Sequence, residues 1–65
     1  METGLKLLMR DGAVGVKFRP RLTGEEYTTL LVLVAETSTK DELRRELHRA
    51  AAQWHKKLKF DTEIE

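Results

Sequence analysis

The chain has 65 residues, of which 40% are hydrophobic and 35% charged, with one proline, four glycines and no cysteine. This length predicts a single small domain over residues 1–65, because domains rarely run below about 50 residues, and the missing cysteines exclude disulfides and cysteine-based zinc sites as stabilisers. Twelve basic against eleven acidic residues give a net charge of +1, which excludes a strong attraction of the whole chain to nucleic acid or membranes.

Neither a membrane span nor a secretory signal is predicted. The longest wholly apolar run, Leu30 to Ala35, has six residues, whereas a membrane helix needs about 20. The first four residues lack the basic start and the apolar stretch of a signal peptide. We therefore expect a soluble, cytoplasmic protein.

The first predicted elements are the two strands of a β-hairpin on either side of Asp11-Gly12. An Asp-Gly pair between two alternating runs is a strong signal for a two-residue turn, because a type I′ turn needs positive φ at both central positions. This turn predicts a register in which Arg10 lies opposite Ala13. Period-2 alternation then places six apolar side chains on one face of the hairpin: Leu5, Leu7, Met9, Val14, Val16 and Phe18.

A short helix is predicted over residues 24–36. Thr23 and Glu26 have the spacing of a capping box, in which the two side chains bond each other's backbone amides. From Tyr27 onward, apolar residues recur at helical spacing. The β-branched residues of this segment leave a strand as the alternative, which would give a βββα order. Such a strand would be apolar on both faces, and one helix can cover only one of them.

A longer helix is predicted over residues 40–58, followed by a strand over residues 59–64. Thr39 and Glu42 form a second capping-box pattern, and the apolar residues of the helix share a stripe about 100° wide. After Leu58 the pattern alternates, which favours a half-buried strand over a disordered tail. The predicted fold class is therefore α+β, with an N-terminal hairpin packed on two helices. The residues expected in the core are Leu7, Met9, Val14, Val16, Phe18, Leu47 and Trp54.

No residue pattern predicts catalysis, a metal site or a cofactor. His48 and His55 are seven residues apart, about 10.5 Å along a helix, which is too far to share one metal ion comfortably. The segment from Gly12 to Gly15 lies within the hairpin and precedes no helix, so it lacks the context of a phosphate-binding loop. A chain of this size also has little volume for a small-molecule pocket. We therefore expect neither an enzyme nor a small-molecule substrate.

The predicted function is that of a small, non-catalytic protein-interaction module. On a helical wheel, the apolar residues between 27 and 35 cover more of the short helix than the rest of so small a fold can bury. This excess favours a protein partner or a homodimer. The candidate interaction residues are Tyr27, Leu30, Val32 and Leu33.

Nucleic-acid binding is the alternative function. In the predicted register the outer face of the hairpin carries cations and no acid, and like charges across a ladder are destabilising. Cations on the outer stripe of the long helix would supply further phosphate contacts. An acidic strand with Asp61, Glu63 and Glu65 beside the hairpin would instead neutralise it. The candidate nucleic-acid residues are Lys6, Arg10, Lys17, Arg19, Arg45, Arg49 and Lys56.

Overall fold

The computed structural model describes residues 3–61, which form elements in the order ββααβ. Their bounds are β1 Thr3–Met9, β2 Gly12–Arg19, α1 Gly24–Glu36, α2 Lys40–Gln53 and β3 Lys57–Asp61. The three strands form one antiparallel sheet in the order β1-β2-β3, so that β2 is central. This arrangement confirms the predicted α+β class, with its N-terminal hairpin, two helices and C-terminal strand. It excludes the βββα order.

Both helices pack on the same face of the sheet. α1 packs against α2 and β1, and α2 packs also against β2 and β3. Neither helix reaches the length and apolar content that crossing a bilayer requires. Met9 and Trp54, which were expected in the core, are partly buried against it. The buried residues between the two layers are Leu7, Val14, Val16, Phe18, Leu30, Leu43, Leu47 and Ala51.

The predicted hairpin register is wrong by two residues. Met9 pairs with Gly12, so that the turn consists of Arg10 and Asp11 and Arg10 has no pairing with Ala13. Gly12 has a φ of 134°, a conformation that glycine adopts without strain. Because a slip by an even number of residues preserves the pleat, each apolar side chain of the hairpin keeps its predicted face.

A contact between the turn and α2 explains this register. The backbone N–H of Lys40, the first residue of α2, donates to the two carboxylate oxygens of Asp11 at 3.1 and 3.3 Å. An aspartate at this place satisfies one of the free N–H groups of the helix N-terminus and complements the helix dipole. Asp11 therefore caps a distant helix, a role that turn propensities do not include.

The helix predicted over residues 24–36 is confirmed, and its capping box is formed. The hydroxyl of Thr23 accepts from the backbone N–H of Glu26 at 3.2 Å, and the Glu26 carboxylate accepts from the N–H of Thr23 at 2.8 Å. Thr28 and Thr29 donate their hydroxyl hydrogens to backbone carbonyl oxygens four residues earlier, both at 3.1 Å. Threonine favours strands by propensity, and these hydrogen bonds satisfy the two hydroxyl groups within the helix.

α2 ends at Gln53 and β3 begins at Lys57, so the helix predicted over residues 40–58 is too long and the strand predicted over residues 59–64 begins too late. The backbone leaves the helix at His55, whose φ is 56°. The N–H groups of His55 and of the next residue donate to carbonyl oxygens in the last turn of α2, which are the two bonds of a Schellman motif. Glycine is the usual residue at this position, so a histidine there conceals the helix end from sequence rules.

Candidate nucleic-acid interface

The sheet face opposite the helices carries exposed cations from all three strands. Strand alternation produces this face, since the residues between the cations point toward the helices. In β3, for example, Leu58 and Phe60 pack against the core while the two lysines of the strand are exposed. We call this surface the cationic sheet face, and it consists of Lys6, Lys17, Arg19, Lys57 and Lys59.

Four of these cations stand in two directly opposed pairs across β2 and β3. Lys17 pairs with Lys59, and Arg19 pairs with Lys57. Like charges in directly opposed positions repel each other and are destabilising. The four side chains line a shallow depression of about 130 Å³. Among residues 4–60, no carboxylate lies within ion-pair distance of any of them, so these residues present a concentrated positive potential.

Glycines stand opposite two cations of the cationic sheet face, and of these glycines Gly4 is exposed while Gly15 is buried. Lys6 lies opposite Gly15, and Lys17 lies opposite Gly4. A Cβ atom on Gly4 would meet nothing closer than the Lys17 side chain at 4.0 Å. At Gly4, a ligand can therefore approach β1 closely beside the Lys17 side chain.

β3 changes the charge balance that the sequence predicted for the C-terminal segment. Neutralisation of the hairpin by an acidic strand was the alternative to nucleic-acid binding, and β3 places Lys57 and Lys59 on the outer face. The register sets Asp61 opposite Gly15. Two of the acids expected to neutralise the hairpin, Glu63 and Glu65, lie outside the described residues, as does the predicted end of the strand. Alternation of the two lysines with Leu58 and Phe60 was the sequence signal that could have identified them.

Several cations predicted to bind nucleic acid lie away from the cationic sheet face. Arg10 is in the hairpin turn. Arg45 and Arg49 are exposed on α2, and the helical period places them opposite the buried stripe that contains Leu43 and Leu47. They therefore point away from the sheet, on the other side of the molecule.

Lys56 has a structural role that makes it unavailable as a phosphate anchor. Its ammonium group lies 3.0 Å from Oε1 of Glu26 and donates to the carbonyl oxygen of Arg21 at 2.6 Å, and the Lys56 side chain is only 7% exposed. Burial raises the pKa of Glu26, but hydrogen bonds from the Thr23 backbone and from Lys56 outweigh it and lower the pKa below its ordinary value of 4.5.

α1 exposes apolar side chains in the region that the sequence singled out. Tyr27 and Val32 are 37% and 47% exposed, and Leu31, which was not among the predicted residues, is 62% exposed. Leu30 is buried in the core and Leu33 is partly buried against it. Leu30 therefore offers no surface to a partner, and Leu31 takes its place on the exposed side of the helix.

The β3 side of α2 is held by an aromatic contact rather than by a polar site. The guanidinium carbon of Arg44 lies 5.1 Å from the centre of the Phe60 ring, and the His48 ring meets Phe60 edge-on at 5.3 Å. Among residues 3–61, no three histidine, aspartate or glutamate side chains converge as a metal ion would require. The contact attaches α2 to β3.

Two surfaces of the described chain thus stand out, the cationic sheet face and the exposed side of α1. Comparison with models of known protein families, with curated proteins and with solved structures finds no match.

Proposed function

We propose that the protein binds duplex DNA through the cationic sheet face. The observation that carries the proposal is the pair of directly opposed like charges, Lys17 with Lys59 and Arg19 with Lys57. Each opposed pair costs the fold some tenths of a kcal/mol, roughly, when no anion is bound. Phosphate groups placed above the pairs replace this repulsion by attraction and release counterions from the DNA.

The shape of the face supports a duplex rather than a single strand as the ligand. Single-stranded nucleic acid is bound largely by stacking of bases on aromatic side chains. Phe18 and Phe60 both pack toward the helices, and the described residues place no aromatic side chain on the cationic sheet face. The proposed ligand therefore presents phosphates and groove edges rather than unstacked bases.

The dimensions of the sheet support DNA rather than RNA. The major groove of B-DNA is about 12 Å wide and admits a two-stranded β-ribbon, and the two opposed cation pairs lie on one such ribbon, β2 with β3, whose strands are about 4.8 Å apart. The major groove of an A-form RNA duplex is too narrow to admit protein elements in the same way. The ribbon therefore matches the DNA groove in width.

The low net charge of the chain is compatible with this proposal because the charges are separated. Acidic residues occupy the first turns of both helices, where the helix dipole favours them, and these helices lie on the opposite layer of the fold. The three strands, by contrast, carry five cations and one acid, Asp61, so that cations predominate in the sheet. A local field can steer a phosphate backbone even where the total charge is near zero.

Fluorescence anisotropy with a labelled DNA duplex, measured over a series of salt concentrations, tests the proposal. The double substitution Lys17→Gln and Lys59→Gln should weaken binding and lower the slope of log affinity against log salt by about two units, roughly one for each lost phosphate contact. The matched control, Arg45→Gln with Arg49→Gln, removes the same charge from the far side of α2 and should leave the slope unchanged.

Two results would overturn the proposal. One is the absence of any duplex binding by the intact protein at low salt. The other is an equal loss of slope in the sheet variant and in the α2 variant, because that result would make the binding an effect of total charge. Tighter binding to a single strand or to duplex RNA would assign the face to a different ligand.

A second candidate function is association with a protein through α1. It is supported by the exposure of Tyr27, Leu31 and Val32 on a helix that has no charged residue between positions 27 and 35. Light scattering coupled to size-exclusion chromatography tests it over a concentration series. A mass that rises with concentration supports self-association, and a constant monomer mass leaves only a different protein as the partner. The cytoplasmic location expected from the sequence remains a prediction.

A further inference from the structure

We propose that β1 is a dimerisation edge, at which two copies of the chain pair through antiparallel β1 strands with α1 of each copy alongside. The proposal deepens the second candidate function by naming a second copy as the partner. It does not depend on DNA binding, and it can therefore fail or succeed separately.

The outer side of β1 has no pairing strand among residues 3–61. β1 pairs with β2 over its whole length without a bulge, and Lys6 is its one charged residue. Edge strands of monomeric proteins are normally protected by charges, proline or bulges, because their free N–H and C=O groups are a template for another strand. β1 has little of this protection. Because its outward N–H and C=O groups can pair with another strand, the expected partner is a β-strand.

The opposite edge of the sheet is protected. The described part of β3 carries the exposed Lys57 and Lys59. Arg44 and His48 of α2 also pack on Phe60 at this edge. Lysines and a covering helix are two devices that prevent strand addition. The contrast between the two edges directs association to β1.

The exposed apolar side of α1 lies at the same edge as β1. α1 packs on β1, and its Glu26 is bonded to Lys56, which follows α2, so the Glu26 side of α1 faces α2. Tyr27 and Leu31 are displaced from Glu26 by about 100° and 140° around the helix. They therefore face away from α2, beyond the edge of β1, where a second copy would bring its own α1.

The sequence of β1 is complementary to itself in the antiparallel direction. With Leu7 on the two-fold axis, Leu8 lies opposite Lys6 of the second copy, and Leu5 lies opposite Met9 of the second copy. Leu8 is 74% exposed, and in the dimer the methylene stem of that lysine would cover it. No like charges are opposed in this register, and the symmetry makes each contact twice. A second copy thus supplies a matching strand without any further assumption.

The paired strands would join two sheets into one of six strands. Residues directly opposed across a ladder lie on the same face of a sheet, so the two cationic sheet faces would lie on the same side of the dimer. The interface consists of one short strand pair and a helix contact, which places it among small, weak interfaces. We expect a dissociation constant in the micromolar range.

Sedimentation equilibrium without nucleic acid, from about 10 μM to about 1 mM protein, tests the proposal. Leu8→Lys places an ammonium group opposite Lys6 of the second copy and should weaken the dimer at least tenfold. Leu8→Glu places a carboxylate there and should keep or tighten the dimer. Because Leu8 is exposed, both variants should retain the wild-type thermal unfolding of the monomer, measured in dilute solution.

Substitutions on α1 provide a second, independent pair of variants that test the dimer. Leu31→Lys should weaken the dimer, while Val32→Lys, about 100° further around the helix and facing away from the sheet, should not. A wild-type monomer at about 1 mM would overturn the proposal, and so would equal dissociation constants for the wild type, Leu8→Lys and Leu8→Glu. Neither result would affect duplex binding, which anisotropy measures separately on the same samples.

Discussion

Among residues 3–61, two residues, one of them a glycine, have a backbone φ in the left-handed region. Gly12 has a φ of 134°, and a Cβ atom there would lie 3.1 Å from the ammonium nitrogen of Lys40. His55, at the end of α2, has a φ of 56°. A side chain in this conformation costs about 1 kcal/mol relative to glycine. Replacement of His55 by glycine should therefore stabilise the fold, whereas replacement of Gly12 by a residue with a side chain should destabilise it.

We predict that His55→Gly raises the free energy of unfolding by about 0.5–1 kcal/mol, because glycine relieves the left-handed strain at the Schellman end of α2. Gly12→Ala should lower the free energy of unfolding by about 1–2 kcal/mol. Urea unfolding of both variants beside the wild type measures the two changes. A loss of stability in His55→Gly would contradict the assigned helix end.

The ion pair between Glu26 and Lys56 predicts how stability depends on pH. The pKa of Glu26 is lowered in the folded protein, so its charged form is favoured by folding. This contribution is fully present above the ordinary pKa of 4.5 and is lost as the pH falls through the lower folded pKa. At neutral pH, the free energy of unfolding of Glu26→Gln should be lower than that of the wild type. Between about pH 5 and pH 3, it should decrease less steeply than that of the wild type. Thermal unfolding over this range checks both, and an unchanged acid profile would contradict the role of Glu26.

At the level of elements, hairpin and helices differ in how far local rules specify them. The capping box at Thr23 and the apolar stripe of α2 are local patterns, and both helices begin where these patterns predict. The hairpin register is not local, since Asp11 bonds Lys40 in the next layer. The end of α2 was also not predicted, because His55 occupies the position after the helix at which a glycine usually indicates the end.

The contact between the turn and α2 gives a prediction for these elements. Asp11→Ala should lower the free energy of unfolding by about 1 kcal/mol, because the first N–H of α2 loses its acceptor. Asp41→Ala is the comparison, since Asp41 lies in the same helical turn but its carboxylate caps no backbone N–H. This substitution should lower the free energy of unfolding by less, roughly 0.3–1 kcal/mol. Urea unfolding compares the two, and a larger cost for Asp41→Ala would contradict the capping role of Asp11.

For the whole molecule, the candidate site shows a similar division between what sequence patterns predict and what they do not. Strand alternation identified Lys6, Lys17 and Arg19 from the hairpin alone. Lys57 and Lys59 join them only because β3 pairs with β2, an interaction between distant parts of the chain that no periodicity specifies. The net charge of +1 is also an average over the chain, and it does not reveal that the strands carry five cations and one acid, Asp61.

The opposed cations predict a conflict between stability and binding. Lys17→Gln with Lys59→Gln should be more stable than the wild type without ligand, by some tenths of a kcal/mol, roughly, because repulsion is removed. A DNA duplex at saturating concentration should raise the melting temperature of the wild type more than that of the variant. Thermal unfolding at low salt with and without duplex measures both effects. A variant less stable than the wild type would indicate that the lysines support the fold.

The pairing of β2 with β3 also affects how the protein can fold during its synthesis. The ribosome releases the hairpin first, while the helices that cover its apolar face are still to be made. The central strand gains its second neighbour only after Asp61 has emerged, so the sheet cannot be completed while the chain is still being extended through α2. Until then the apolar face of the hairpin is exposed to other nascent chains, and this interval is when the protein is most vulnerable to aggregation.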